Sequence, residues 1–534
     1  MKEITRLNRY ILSILSGFIL FISFPYTGSL TFLSFFAWIP LLIVEQYITS
    51  KKYRSSKIYI HAFIAFFIYN LGSTWWIWNA SEGGAIFAIV LNALIMAFVF
   101  YIYHIVKKTL APSTGTYLLP IFWIAFEFIH YHWELSYPWL NLGNVFSILP
   151  ETVQWYSITG VLGGTLWILI TNILLFNFLY RTFITQHNWK KEVKFIVAGI
   201  SSLIIPVIIS LYIYSNYKEE KNPIEIVAIQ PNVDPYNEKF YTDLHSQLDK
   251  LFDEADKKIT KNTDFVLAPE TAISSTFYEE ETKQLPFYQY INERTINWGK
   301  TLLLTGASTA RFFTYKNSHA SLPVTGGPGF IEYYNSSLLI NNFKQPVFIH
   351  KSKLVLGVEK IPFSRWIPWL EELSIKNGGT SGTLGIEKEP KNYITKTCTF
   401  GPCICYESIY GEFIAKQCKK GNEALFIITN DGWWGDTPGY KQHASFARLR
   451  AIENRRSIAR SANTGISCFI NQRGDVSQAT KWWVPTAING VINKNRKTTF
   501  YTENGDLIGE TLAIMSVLLL GFGLFKKTKK LIGK

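Results

Sequence analysis

The stretch "GPCICYES", Gly401–Ser408, decides the fold of the second half of this chain. It is a short apolar run that carries two cysteines and ends in a Tyr-Glu pair, which is typical of a buried strand that stops where a polar site begins. Similar strand-length runs, separated by turn residues, recur from Lys221 to about Gly505. Alternation of such strands with helical segments predicts an α/β domain. The stretch also raises a chemical question, namely whether Cys403 or Cys405 is the reactive residue.

Two other stretches end in the same way. In "DFVLAPETA", Asp264–Ala272, Glu270 follows an apolar strand, and in "QPVFIHKSKL", Gln345–Leu354, another apolar run ends at Lys351. Either residue alone is more often a solvated loop residue than a functional one. A cysteine nucleophile, however, needs a base to take its proton, and the tetrahedral intermediate that it forms at a carbonyl needs a cation or other donors. The three strand ends together predict Glu270 as the base and Lys351 as the cation.

The five cysteines allow three other interpretations. A disulfide between Cys403 and Cys405 would join neighbours on one strand face, about 6.6 Å apart at Cα, near the upper limit of disulfide geometry. Cys-x-Cys without a second ligand pair at the usual spacing disfavours a metal site, so we expect no metal. Most free cysteines are small buried hydrophobes, and we assign that role to three of the five: Cys398, Cys418 and Cys468. Whether Cys405 reacts depends on which groups reach it.

The first 215 residues have the composition of a membrane region. Several of their apolar runs approach the ~20 residues that cross a bilayer core. A further run follows the α/β region and ends in "KKTKK". We therefore predict about eight helical spans, at Ile11–Phe24, Leu30–Ile48, Ile58–Trp78, Ala85–Val106, Tyr117–Ile129, Ile158–Tyr180, Phe195–Tyr214 and Leu507–Phe525.

Loop charges orient these spans, because short cytoplasmic loops carry an excess of lysine and arginine. Basic residues cluster before the first span and in alternate loops after it, at positions 2–9, 51–57, 107–108 and 181–194. Both termini are therefore expected in the cytoplasm and the α/β domain on the outer face. We predict a transmembrane bundle over 1–221, a catalytic domain over 222–505 and a last span over 506–534. Since this topology explains much of the net charge of +14, we expect no nucleic-acid partner.

The motifs together resemble the nitrilase superfamily. They are the Pro-Glu-Thr after one strand, the lysine before a Leu-Val run, the Cys-Tyr-Glu after a third strand, and "TNDGWWGDTPGYKQHASFARLRAIENRRSIARSANTGIS", Thr429–Ser467. The membrane segments narrow the resemblance to its membrane-bound branch, the apolipoprotein N-acyltransferase family. Two membrane stretches, "FAWIPLL" (Phe36–Leu42) and "YPWLNLGN" (Tyr137–Asn144), are similar to motifs of that family.

The resemblance implies a nitrilase-type αββα sandwich and a set of site residues. It places a Glu-Lys-Cys triad on Glu270, Lys351 and Cys405, so that Cys403 is a packing neighbour. It also assigns supporting or substrate-binding roles to Glu359, Tyr406, Glu407 and Phe240. This chain departs from the family pattern at two points, because phenylalanine stands at 240 where the family has tryptophan, and "LGV" precedes Glu359.

The activity that the resemblance implies is acyl transfer. The thiolate attacks a membrane phospholipid, holds the fatty acyl chain as a thioester, and passes it to the N-terminal amine of a diacylglyceryl cysteine on an apolipoprotein. The expected location is the bacterial inner membrane with the catalytic domain in the periplasm, and we expect a monomer without a cofactor. Two alternatives remain: a membrane-anchored nitrilase-type amidohydrolase, and a non-enzymatic transporter or scaffold.

Three further stretches receive mainly structural interpretations. Gln442–Arg460 has helical apolar spacing and is predicted to be one amphipathic helix with a salt-bridged face. Glu127, inside an apolar run, is expected to pair with a neighbouring helix. "RWIPWLEEL", Arg365–Leu373, is predicted either to form a lid at the membrane surface or to pack on its own domain. Strands are predicted at Glu225–Ile229, Phe265–Ala268, Leu302–Gly306, Ser336–Ile340, Ile404–Cys405, Leu425–Thr429 and Ile466–Ile470.

Overall fold

A computed structural model describes residues 3–112, 114–341, 344–373 and 382–532. Contacts divide the chain into two compact units. One unit comprises Met1–Trp78, Glu82–Asn216 and Asp506–Lys534, and the other comprises Asn79–Ser81 and Tyr217–Gly505. We call the first the helical unit and the second the sheet unit. The four residues at the ends of the predicted domains, 1–2 and 533–534, lie outside the described residues.

The described residues form fourteen α-helices, most of the long ones in the helical unit. They are α1 Arg6–Ser23, α2 Ile39–Ser50, α3 Ser56–Thr74, α4 Ile77–Ala80, α5 Glu82–Leu110, α6 Leu119–Ile129, α7 Tyr156–Leu179, α8 Trp189–Asn216, α9 Leu244–Asp256, α10 Pro286–Thr295, α11 Gly411–Lys419, α12 Pro438–Asn454, α13 Phe500–Asn504 and α14 Leu507–Ile532.

The same residues form fourteen strands, all in the sheet unit. They are β1 Pro223–Gln230, β2 Phe265–Leu267, β3 Ile273–Tyr278, β4 Leu302–Phe313, β5 Leu322–Pro323, β6 Phe330–Ile340, β7 Val347–His350, β8 Tyr393–Ile394, β9 Thr399–Ile404, β10 Ala424–Thr429, β11 Ile458–Ala462, β12 Cys468–Ile470, β13 Val476–Ser477 and β14 Thr486–Asn493.

The helical unit has the long apolar helices of a membrane bundle. Among the described residues, six helical segments are long and apolar enough to cross a membrane by length and composition. Two predicted spans are not among these six: α3 is long enough, with 19 residues, but contains several polar ones, and α6 has only 11 residues. Inside the unit, α3 packs on α1 and α5, α7 packs on α8, and α14 packs on α6. The prediction of a multi-span helical bundle is thus confirmed.

Glu127 on α6 is buried and satisfied by neutral donors. Its Oε1 accepts hydrogen bonds from the Trp123 indole at 3.0 Å and the Leu142 amide at 2.9 Å, and its Oε2 accepts one from Thr165 at 2.6 Å. Leu142 begins a 3₁₀ segment, whose amides lack α-helical partners. The carboxylate therefore ties this irregular backbone to α6 and α7, which agrees with the expected pairing role.

The sheet unit is a sandwich of two sheets. The first has the order β14-β1-β2-β4-β6-β5, with β3 also paired to β4 and β7 to β6; the second has the order β13-β12-β11-β10-β9-β8. The core lies between them, where the ring of Phe265 is 5.2 Å from the rings of both Phe400 and Phe426. Helices α9 and α10 pack with the first sheet, and α11 and α12 contact the second. The predicted αββα sandwich is confirmed.

Two predicted boundaries near the end of the second sheet are wrong. The predicted helix Gln442–Arg460 ends instead at Asn454, because Arg455 adopts a left-handed conformation with φ of 49°. The chain then enters β11, which pairs in parallel with β10. Likewise, the strand predicted at Ile404–Cys405 is β9 and stops at Ile404. Nearly all of α12 is buried, and on its predicted salt-bridged face Arg450 pairs with Glu453 at 2.7 Å.

Candidate active site

The three residues singled out from strand-end patterns all lie just beyond strand ends. Glu270 follows β2 and Lys351 follows β7, both in the first sheet, whereas Cys405 follows β9 in the second sheet. Their side chains are buried, at 7%, 1% and 9% relative exposure. Ends of strands from both sheets thus contribute to one polar site inside the sandwich.

Glu270 and Lys351 form the centre of a small ion cluster. Lys351 Nζ lies 3.1 Å from Glu270 Oε1 and 2.9 Å from Glu359 Oε1. The amide nitrogen of Asn335 donates to the same two oxygens, at 2.8 Å each. The Oε2 atom of Glu270 accepts from the backbone of Asn430 at 3.0 Å. Both carboxylates are therefore held in one orientation by the same pair of donors.

The charges in this cluster stabilise one another despite burial. Burial alone would raise the pKa of Glu270, but Lys351 and the Asn335 amide lower it below its usual value. Burial alone would lower the pKa of Lys351, but the carboxylates of Glu270 and Glu359 raise it well above its usual value. Glu270 is thus an ionised carboxylate at neutral pH, the state that a proton acceptor requires.

Cys405 occupies a strained turn. Its φ is +50°, in the left-handed region that non-glycine residues seldom adopt, and a 3₁₀ helix begins at this residue. Cys405 joins Ile404 in the core between the sheets, so the expectation that Cys403 and Cys405 share a strand face is wrong; the strand alternation stops one residue before Cys405. Burial, and then the charge of Glu270, raise the pKa of the Cys405 thiol, while Lys351 opposes that rise.

Glu407 connects the strand ends that carry the cysteine and the lysine. One carboxylate oxygen accepts from the Ser352 amide at 2.6 Å, and the other accepts from the Ile404 amide at 2.8 Å. Burial raises its pKa to about 7, although these amides and Lys351 oppose the rise. Glu407 therefore links the turn after β7 to the turn after β9 through hydrogen bonds.

Tyr406 is buried, with its ring 5.4 Å from that of Tyr410.

Comparisons with known proteins identify the family of the chain. Residues 228–496 match the sequence profile of the family described as "Carbon-nitrogen hydrolase", which covers half of the chain. The chain belongs to the carbon-nitrogen hydrolase family. Residues 16–174 match a second profile, "Apolipoprotein N-acyltransferase N-terminal domain". The resemblance inferred from the sequence motifs is confirmed.

Relatives extend the similarity over nearly the whole chain. A protein named apolipoprotein N-acyltransferase from Chlorobaculum tepidum is 28% identical, over 96% of this chain and 96% of that protein. One of the same name from Haemophilus influenzae is 25% identical, over 99% and 97% respectively. Among solved structures, Saccharomyces cerevisiae Nit3, a nitrilase-superfamily member, aligns with 52% of this chain and 92% of its own, at 17% identity and a TM-score of 0.35, too low to carry an inference.

In the carbon-nitrogen hydrolase domain, Phe240 is half-buried in the loop after β1. From this loop it is the preceding residue, Lys239, that reaches the candidate site. Its ammonium group hydrogen-bonds the Glu270 carbonyl at 3.3 Å and the Thr271 hydroxyl. Burial lowers the pKa of Lys239 to about 8, although Glu270 and Cys405 oppose that change. The sequence analysis missed Lys239. The only signal that it offered was that Lys239 directly precedes Phe240, to which the family resemblance assigns a supporting role.

The predicted lid segment exposes its aromatic residues. Trp366 and Trp369 are 63% and 62% exposed, and Phe363 and Ile367 are also exposed. Packing on the domain therefore does not account for the two tryptophans. The residues after Leu373, up to 381, lie outside the described part of the chain.

A second polar cluster lies beside Cys405. Three atoms lie within 4.8 Å of one another: the Cys405 sulfur, an oxygen of Asp431 and a ring nitrogen of His443. These distances would admit a metal ion, but the guanidinium of Arg460 already binds Asp431 at 2.6 Å and opposes a second cation. We therefore assign hydrogen bonding to this cluster and no metal. The sequence alone leaves Asp431 open between a residue that shapes an acyl pocket and a structural turn, and it assigns no chemistry to His443 or Arg460.

Asn335 is another residue that the sequence analysis missed. It lies in β6, within "YYNSSLLI", where a polar residue in a buried strand was a weak signal. Its contacts with Glu270 and Glu359 depend on the pairing of β6 with β4 and β7. No pattern within one segment could show that arrangement.

Proposed function

We propose that this protein is an apolipoprotein N-acyltransferase, which moves a fatty acyl chain from a membrane phospholipid to the N-terminal amine of an apolipoprotein's diacylglyceryl cysteine. Full-length similarity to proteins of that name supports the proposal. The observation that carries it is the buried Glu270–Lys351–Glu359 cluster beside a strained cysteine, in a chain that also has a multi-span helical unit. A hydrolase of small soluble amides has no need for that unit.

In the proposed first half-reaction, Cys405 attacks the ester carbonyl of the phospholipid. The thiol proton passes to Glu270 as the sulfur–carbon bond forms, and the ammonium of Lys351 stabilises the oxyanion. The tetrahedral intermediate then collapses, the carbon–oxygen ester bond breaks, and Glu270 returns the proton to the departing alkoxide. The products are a lysophospholipid and a Cys405 thioester.

In the second half-reaction, the amine of the apolipoprotein attacks the thioester. Glu270 takes a proton from the nitrogen, the carbon–sulfur bond breaks, and Cys405 leaves as a thiolate that recovers the proton. An amide forms, and the enzyme returns to its starting state. Two sequential substrates at one thiol give ping-pong kinetics.

The membrane setting follows from the chain order and the loop charges. Residues 222–505, the proposed catalytic domain, are tethered by α8 before them and α14 after them. The positive-inside pattern supports a periplasmic location of this domain at the inner membrane. Both lipid substrates then reach a monomeric enzyme by lateral diffusion, and the exposed Trp366 and Trp369 are suited to the lipid interface. Glu359, Tyr406, Glu407 and Phe240 keep their proposed supporting roles.

The test uses purified full-length protein in detergent with phospholipid and a synthetic diacylglyceryl-cysteine peptide. Mass spectrometry should detect the peptide with one added acyl chain and an equal amount of lysophospholipid. Release of free fatty acid without acylated peptide would instead identify a hydrolase. If neither acylated peptide nor free fatty acid forms, the result would favour the transporter or scaffold alternative.

A further inference from the structure

We propose that His443 is a positioning residue that is held as a positively charged imidazolium between Asp431 and the backbone of the nucleophile turn. This inference rests on the proposed role of Cys405 and adds a residue to it. His443 lies on α12 and is 1% exposed, so water does not supply its hydrogen-bond partners.

The first ring nitrogen of His443 faces a carboxylate. Nδ1 lies 2.9 Å from Asp431 Oδ1, and Arg460 and Thr429 donate to the same carboxylate at 2.6 and 2.8 Å. Burial would raise the pKa of Asp431, but the guanidinium of Arg460, 2.6 Å from its Oδ2, lowers it. The carboxylate is thus ionised and only accepts hydrogen bonds, which places a proton on Nδ1.

The second ring nitrogen faces the nucleophile turn. Nε2 lies 3.1 Å from the Cys405 carbonyl oxygen and 2.9 Å from the Ser408 hydroxyl. The Ser408 hydroxyl donates its own hydrogen to the same carbonyl at 2.8 Å, so its oxygen is left to accept. The Cys405 carbonyl has no hydrogen to donate. If Nε2 carried no proton, its lone pair would face a lone pair of the carbonyl oxygen at 3.1 Å, which is repulsive. Nε2 therefore also carries a proton.

A competing arrangement involves Arg460. Its Nη2 is 3.3 Å from His443 Nδ1 and could donate there if the ring carried a proton on Nε2 only. That contact is longer than the 2.6 Å bond from the same nitrogen to Asp431, and it would leave Nδ1 and the Asp431 oxygen, 2.9 Å apart, without a hydrogen between them. The geometry therefore favours two ring protons.

This arrangement has two consequences at the sulfur. First, the Nε2–H and Ser408 bonds hold the carbonyl of a residue whose φ is +50°, so they stabilise the strained turn that presents the thiol. Second, burial and the charge of Glu270 raise the pKa of the Cys405 thiol, and Asp431 adds to that rise. With the imidazolium, Arg460 and Asp431 together carry one net positive charge next to the Cys405 sulfur, in addition to the charge of Lys351.

The protonation state can be read directly from ¹⁵N spectra of histidine-labelled full-length protein in micelles near neutral pH. The ring signals of His443 are assigned by their loss in His443→Gln and by their shift in Ser408→Ala. We expect both nitrogens to show protonated-type shifts. A bare-nitrogen shift at either position would overturn the proposal. This readout requires no catalytic turnover, so its result stands even if the proposed acyl transfer fails.

The positioning role is tested by single-turnover acylation of Cys405 from phospholipid. His443→Gln offers a neutral donor in place of the ring, and we expect its acylation rate to fall by about tenfold or more while the half-saturating phospholipid concentration is unchanged. Ser445→Ala, on the same helix with a hydroxyl that donates to the Gln442 carbonyl, serves as the matched control and should acylate normally. A wild-type rate in His443→Gln would overturn the role, and so would equal losses of rate, phospholipid affinity and thermal stability.

Discussion

The ammonium nitrogen of Lys351 lies 3.1 Å from Oε1 of Glu270, and the two side chains reach this contact from the ends of different strands of one sheet. The same ammonium lies 2.9 Å from Glu359. This buried cation lowers the pKa of Glu270 against the effect of burial, and removing Lys351 would leave two buried carboxyl groups without their cation, which costs several kcal/mol, roughly 3–5. Function and stability are therefore coupled at this cluster.

Glu270→Gln should slow acylation of Cys405 by about a hundredfold or more, because the thiol loses its proton acceptor. The shape of the side chain is kept, so the fold should remain. The measurement is the rate of acyl-enzyme formation with phospholipid alone. Glu332→Gln is the matched control, since Glu332 is also buried in this unit but binds Ser321 and Tyr334. An unimpaired Glu270→Gln would remove this residue from the proposed triad.

Asn335→Asp should impair the site more than Asn335→Ser. The aspartate would place a third carboxylate against Glu270 and Glu359, where the amide now donates two hydrogen bonds of 2.8 Å. Like-charge repulsion raises the pKa of Glu270, so the acid limb of the acylation rate should move to higher pH. Acylation rates across pH for both variants check this, and an acid limb in Asn335→Asp at the wild-type position would contradict it.

The pH dependence of the wild-type enzyme follows from two opposite shifts. The pKa of Glu270 is lowered below 4.5, and that of the Cys405 thiol is raised well above 9.0. Between these values the pair is a thiol and a carboxylate, so the acylation rate should be nearly constant from about pH 5.5 to 7.5. The contradicting result is an acylation rate that rises about tenfold per pH unit over this range. Such a rise would mean that the thiol loses its proton before it attacks, while Glu270 stays ionised.

The topology prediction concerns two exposed lysines, Lys388 in the sheet unit and Lys529 near the end of α14. In a Cys405→Ala background, Lys388→Cys should react with an impermeant thiol reagent in intact spheroplasts, whereas Lys529→Cys should react only after the membrane is opened. The other native cysteines are buried and give a low background. The reverse labelling pattern would place the candidate active site in the cytoplasm.

The sequence predicts the parts of this site that depend on one segment at a time. Glu270, Lys351 and Cys405 each follow an apolar run, and a strand end is visible in the periodicity of that run. Asn335 and Lys239 escaped notice because their roles arise only when β6 and the loop after β1 come to lie beside Glu270. Their local patterns resemble those of ordinary strand and loop residues.

The end of the predicted helix Gln442–Arg460 shows a second limit. No glycine or proline in 455–460 marks the end of the helix, yet Arg455 turns into the left-handed region and the following residues pair with β10. Three arginines of the predicted salt-bridged helix are at most 1% exposed, and they form hydrogen bonds to Ile409, Asn422 and Asp431; they are Arg450, Arg456 and Arg460 respectively. Charged residues are seldom buried unless paired, and pairing across the sheet unit is invisible in the sequence.

The identity of the nucleophile is tested most directly by the mass of the acyl-enzyme. Purified protein incubated with phospholipid and no amine acceptor should gain one acyl chain on the peptide that contains Cys405, and neutral hydroxylamine should remove it. Cys405→Ala should abolish both this adduct and acyl transfer, whereas Cys403→Ala should retain them with only a modest loss of packing. An adduct that persists in Cys405→Ala, or that maps to Cys403, would contradict the thioester mechanism.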